Sequence, residues 1–278
     1  MRPLCLLLIL FLLLFSSACE VDVELNPFEP EVVVEGIVEN GEYPVVILSV
    51  LIPVDANLDS LQMSTIPIRW AKVTISDGVD EEVLVGMRDA NSLFKFKYKA
   101  LHMKGEIGNT YNLKVEYSGR VLTATTKIPK QPELSNIEVV KLNYSDSLYS
   151  IKVDINDVPD EKNYYFFQVK LDSDTDVFRP AFFGAIDDES EGANSSIVIY
   201  NSIRMKDYSL YFISKNTYVL KFCQIGELEY CFWNDYFNQI IAASNPVYPN
   251  VSNLTSNING GLGVFYGCAS VNYSVKIP

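Results

Sequence analysis

Lys72-Val73-Thr74-Ile75-Ser76, followed at once by Asp77-Gly78, decides the fold class of this chain. Polar and apolar residues alternate along it, which suits a strand with one wet face and one buried face. Asp-Gly then makes a tight hairpin turn, because its residues tolerate positive φ. Working outward, Phe94-Lys95-Phe96-Lys97-Tyr98 repeats the alternation and Ser118-Gly119 repeats the turn. Strand-like runs fall at 31–38, 44–52, 69–76, 82–86, 93–98, 110–117 and 121–128. Seven short strands within about a hundred residues predict a β-sandwich of Ig-like or transthyretin-like type over 31–130.

Ile128-Pro129-Lys130-Gln131-Pro132 closes that unit, because proline cannot donate to a sheet ladder. A second β-rich domain is expected over 131–278, with strands at 137–142, 149–155, 163–171, 196–200, 217–225 and 263–273. One segment breaks the β pattern. Across 230–243, Trp233, Tyr236, Phe237, Ile240 and Ile241 recur at helical spacing, opposite Asn234, Asp235, Asn238 and Gln239. This predicts a short amphipathic helix whose apolar face docks on a sheet.

The amino terminus reads as a leader. Arg2 supplies a positive start, residues 4–15 are apolar, and Ser16-Ser17-Ala18 offers small side chains before Cys19. The apolar run is shorter than the ~20 residues of a transmembrane helix. Residues 1–18 are therefore expected to be a lipoprotein signal peptide, with Cys19 acylated and the chain anchored to a membrane without spanning it. Residues 19–30 form an acidic, proline-containing tether in which Glu20, Asp22 and Glu24 alternate with apolar side chains.

Loss of residues 1–18 removes Arg2 and no acid from a chain with 22 basic and 35 acidic residues, so the net charge moves from −13 to −14. That charge opposes binding to nucleic acid or to anionic lipid surfaces. With 48% hydrophobic and 12% aromatic residues, the composition is that of a globular chain. Cys223, Cys231 and Cys268 remain once Cys5 leaves and Cys19 is acylated. Cys223 and Cys231 flank Gly226 closely enough to staple a turn as a disulfide, with Cys268 a competitor for either.

Motifs for chemistry are sparse. The nucleophile-elbow, zinc-protease and phosphate-loop patterns are missing, and a histidine base would have to be His102, in a predicted loop. One histidine and no paired thiols argue against zinc. Asp172-Ser173-Asp174-Thr175-Asp176 imitates half of a calcium loop, but Val177 and Phe183 stand where its glycine and bidentate glutamate belong. No metal site, cofactor or catalytic residue is expected. Gly260, Gly261 and Gly263 allow positive φ or close backbone approach, although a flexible turn is the simpler reading.

The acylated cysteine, Val32-Val33-Val34-Glu35-Gly36, the Ile128-Pro129 close, Phe232-Trp233-Asn234 and the tail Ser256-Asn257-Ile258-Asn259-Gly260-Gly261-Leu262-Gly263-Val264-Phe265 together resemble a Bacteroidota lipoprotein family catalogued as domain-of-unknown-function family 4249. The resemblance implies that Glu20, Asp22 and Glu24 are a surface-export signal and that the body faces outward from the outer membrane. It also implies a neighbouring TonB-dependent transporter as partner, and O-glycosylation at Ser60 and Ser147, each preceded by Asp and followed by Leu.

The expected function is accordingly a non-enzymatic surface lipoprotein assisting such a transporter in nutrient uptake. An adhesin or structural envelope protein is the alternative. A carboxylate-dependent glycan hydrolase, recognisable by two acids about 5–10 Å apart in one cleft, is the third.

Overall fold

A computed structural model describes residues 31–52, 66–89, 95–156, 161–189, 196–203, 209–243 and 254–278. Cys19, Glu20, Asp22, Glu24 and Ser60 lie outside the described residues. The protein is mainly β, with one helix among the described residues.

The first half supplies β1 (Val32–Glu39), β2 (Val45–Val50), β3 (Lys72–Ser76), β4 (Glu81–Val83), β5 (Val85–Arg88), β6 (Phe96–Lys99), β7 (Thr110–Tyr117) and β8 (Arg120–Lys127). The second half supplies β9 (Leu134–Lys141), β10 (Leu148–Ile155), β11 (Tyr164–Leu171), β12 (Arg179–Pro180), β13 (Ile186–Asp187), β14 (Ile197–Ile199), β15 (Phe212–Ile213), β16 (Thr217–Ile225), the helix α1 (Glu227–Ala243) and the long β17 (Leu262–Lys276).

A nine-stranded sheet runs β12-β11-β16-β17-β1-β2-β6-β5, with β13 also on β11. Two four-stranded sheets accompany it, β4-β3-β7-β8 and a second in which β10 pairs with β9, β14 and β15. Alternation along β1 explains the first sandwich. Val32, Val34 and Val38 are buried in one core with Val73 and Ile75 of β3, Leu113 and Val115 of β7 and Leu122 of β8. Fully burying such a side chain stabilises by about 1.5–3 kcal/mol relative to leaving it exposed.

The stretch 82–86, expected as one strand, is two. Leu84 interrupts it: its side chain is buried in the core while its N–H donates to the Val73 carbonyl at 2.8 Å. The chain thereby leaves one sheet as β4 and enters the other as β5.

A second core gathers Ile151 and Val153 of β10, Phe167 of β11, Phe222 of β16 and Val275 of β17. Pro129–Pro132 separates these two cores along the sequence, but β17 joins them in space. Its Phe265 and Ala269 belong to the first core and its Val275 to the second. It pairs parallel with β1, Val33 to Leu262 through Glu39 to Cys268, and antiparallel with β16. Contact density makes Glu31–Pro278 one compact unit.

Helix α1 starts at Glu227, earlier than the expected 230. The difference is a capping interaction: the Glu229 carboxylate, at the third helical position, reaches back to the Gly226 N–H. A third, aromatic cluster then seats the helix on the large sheet, with Trp233 stacked on Phe166 at 4.5 Å between centroids.

Candidate functional site

The outward face of β1 carries Val33, Glu35, Ile37 and Glu39, alternating with the core residues. Helix α1 sits on the neighbouring part of that face, over β11 and β17. Between them lies a groove of 630 Å³, within the range of about 300–1,000 Å³ usual for small-molecule pockets. Val33, Val264 and Leu262 form its sheet wall, and Phe232 and Gln239 form its helix wall. Leu51 and Leu254 complete the apolar lining, and Glu31 and Glu35 contribute its two carboxyl groups.

Gly263 shapes the wall. Its φ is +110°, and a Cβ there would stand 1.9 Å from the Val34 carbonyl oxygen, so only glycine allows this approach of β17 to β1. The preceding segment is ordered by its own polar groups rather than forming the flexible turn expected. The Asn257 side chain accepts from the Phe265 N–H at 2.9 Å and donates to the Phe265 carbonyl at 2.7 Å. Asn259 exchanges backbone bonds with Thr123 at 2.8 and 3.1 Å, covering part of the β8 edge.

The two outward carboxylates of β1 have different surroundings. Glu39 accepts from Lys221 Nζ at 2.7 and 2.9 Å and from the Ser270 hydroxyl. Burial alone would lower the Lys221 ammonium, but the Glu39 charge raises it on balance. Glu35 stands between Ile47 of β2 and Val264 of β17 in the sheet register. It is exposed to solvent from the groove, yet its concave surroundings displace bulk water and push its carboxyl above the usual range.

The other residues singled out from sequence are scattered. His102 is on the surface, its side chain 87% exposed, with Nδ1 3.3 Å from Glu82. Glu82 orders that loop by accepting from the N–H groups of Leu101, His102 and Met103. Burial would raise its carboxyl, but these donors hold it below the ordinary value. Asp176 is engaged by Arg179 at 2.7 Å and the Leu171 N–H at 2.6 Å, which ties down the calcium-like run as structure. Ser147 is exposed just before β10.

Cys223, Cys231 and Cys268 are all free thiols, so the Cys223–Cys231 staple expected from spacing is not formed. The intervening residues change from strand to helix, which puts Cys231 on α1, while Cys223 and Cys268 lie on adjacent strands in one buried cluster. The Cys268 thiol is raised well above its ordinary value by its hydrogen bond with Cys223 and by burial.

Several determinants escaped the sequence reading: the Gly226–Glu229 cap, the Glu39–Lys221 pair and the Asn257 clamp. The cap had a signal, Glu229 standing three residues after Gly226 at the head of a helical run. The other two join residues far apart in the chain.

These features define a two-core β protein with one helix docked on the shared sheet and a mainly apolar groove beside it. The chain belongs to the family described as Domain of unknown function (DUF4249), whose model matches residues 19–274. No curated protein matches it. No helix of the described residues is long and apolar enough to cross a membrane.

Proposed function

We propose that this protein is a lipid-anchored binding protein of the bacterial outer-membrane surface, held by Cys19 and working beside a TonB-dependent transporter in nutrient capture. The observation that carries the binding role is the groove between α1 and the β1–β17 pair, with aliphatic and aromatic walls and a small number of polar groups. The Cys19 context and the acidic tether support the anchor and the outward orientation.

The test is a mild-detergent pull-down of the full chain from its native membrane, with mass spectrometry of proteins and retained small molecules. A transporter with TonB-dependent architecture is expected to co-purify, and Cys19→Ala is expected to release the protein from the membrane fraction. A wild-type chain recovered without an acyl group, or without any membrane partner, would count against the proposal.

An adhesive role is the second reading, favoured by a chain of surface rings. Tyr144, 71% exposed, meets Tyr211 at 6.3 Å, which meets Tyr200 at 6.5 Å, which meets Phe183 at 5.6 Å. Tyr144 and Phe183 are exposed while Tyr200 and Tyr211 are half-buried, and tyrosines at a surface are common protein-contact anchors. Retention of partner binding by Tyr144→Ala would remove the support for this reading.

A further inference from the structure

The outward face of β1 presents two carboxylates whose surroundings differ in one decisive respect. Glu39 has a cation, Lys221, and a hydroxyl, Ser270, within hydrogen-bond reach. Glu35, four residues earlier, is flanked by Val33 and Ile37 along the strand and by Ile47 and Val264 across it. Among the described residues no hydrogen bond or ion pair is made to the Glu35 carboxyl. The groove it faces contains a second acid, Glu31, and among the described residues of its lining there is no Lys, Arg or His. An apolar cleft with two carboxylates and no resident cation is complementary to an apolar body carrying a positive charge, because the incoming cation supplies the partner that Glu35 lacks.

We infer that the groove takes a small apolar molecule bearing one positive charge, an ammonium or guanidinium group, with Glu35 as its counter-ion. The inference rests on reading the groove as the binding site. Phe232, Val264 and Leu262 would receive the apolar body. Gln239, opposite on α1, would hydrogen-bond polar atoms near the charge. The 630 Å³ volume matches one small ligand rather than a folded partner.

Three probes with one body and different heads separate the possibilities: 4-phenylbutylammonium, 4-phenylbutanol and 4-phenylbutyrate. Binding is measured calorimetrically to the full chain reconstituted in nanodiscs, with empty nanodiscs as blank. The ammonium is expected to bind about tenfold or more tighter than the alcohol, as a charge-assisted hydrogen bond in a partly desolvated site allows, and the carboxylate weakest. Glu35→Gln is expected to cut the ammonium preference to about twofold or less while leaving the alcohol's affinity unchanged, and Glu35→Asp to retain the preference. Equal binding of the three probes, or a preference that survives Glu35→Gln, overturns the cation inference and leaves the groove as a binding site. Failure of all three to bind overturns both.

Discussion

Gly267 leaves no room for a side chain. A Cβ there would stand 2.4 Å from the Lys127 carbonyl oxygen, and its N–H donates to Thr126 Oγ1 at 2.7 Å. Thr126 in turn donates to the buried Glu229 carboxylate at 3.3 Å, so one threonine hydroxyl links β17, β8 and the start of α1. Gly267→Ala is therefore expected to lower stability by roughly 3 kcal/mol, at the upper end for overpacking, as read by urea denaturation. Lys221→Met would leave Glu39 without its cation, at a cost of about 3 kcal/mol near neutral pH. The Lys221 ammonium is raised on folding, so its contribution is present below the ordinary lysine pKa and is lost as pH rises through the folded value. The stability curves of wild type and Lys221→Met should converge in that alkaline window. Glu35 has the opposite consequence near neutrality. Its carboxyl is raised on folding, so protonated Glu35 is favoured at low pH and the charged form weakens the fold as pH rises through its folded value. Glu35→Gln should thus raise the melting temperature at pH 7.5 and have little effect below about pH 4, where wild type is also neutral.

At the scale of elements, α1 is held by aromatic contact at its middle and by a cap at its start. Trp233 stacks on Phe166 and meets Tyr266 edge-on at 6.3 Å, while Tyr230 lies 4.8 Å from Tyr164. Because Trp233 is only half-buried, Trp233→Ala should cost roughly 2–3 kcal/mol, below the ~3–5 of a fully buried aromatic. It should also weaken any ligand of the groove, since the helix carries the groove's Phe232. Chemical denaturation and probe binding on the same variant check both parts. Local pattern made most elements legible. The runs 110–117 and 217–225 coincide with β7 and β16, because alternation and β-branching are properties of neighbouring residues. Failures fall where a distant partner decides. Leu84 splits the run 82–86 by bonding to Val73, and the two-residue strands β12, β13 and β15 exist only because β10 and β11 lie alongside them.

At the scale of the molecule, β17 controls cohesion. It supplies Phe265 and Ala269 to the first core, Val275 to the second and Cys268 to the aromatic cluster under α1. A fragment of residues 31–130 would lose the partner of β1 along one whole edge and part of its core. It is expected to fail to fold alone, showing no cooperative thermal transition by circular dichroism. The full chain should unfold in one transition, with calorimetric and van't Hoff enthalpies in agreement; two separated transitions would show that the cores are independent.

Alternation, turn residues and helical periodicity were enough, in the sequence by itself, to determine a mainly β protein with one amphipathic helix late in the chain. Such signals arise from the stereochemistry of adjacent residues and need no partner to be read. Tertiary structure alone decided that the last strand lies parallel to the first, that Cys223 neighbours Cys268 rather than Cys231, and that Glu39 is neutralised while Glu35 faces an apolar groove. Each depends on residues brought together across many positions of chain, where register and burial choose the partners.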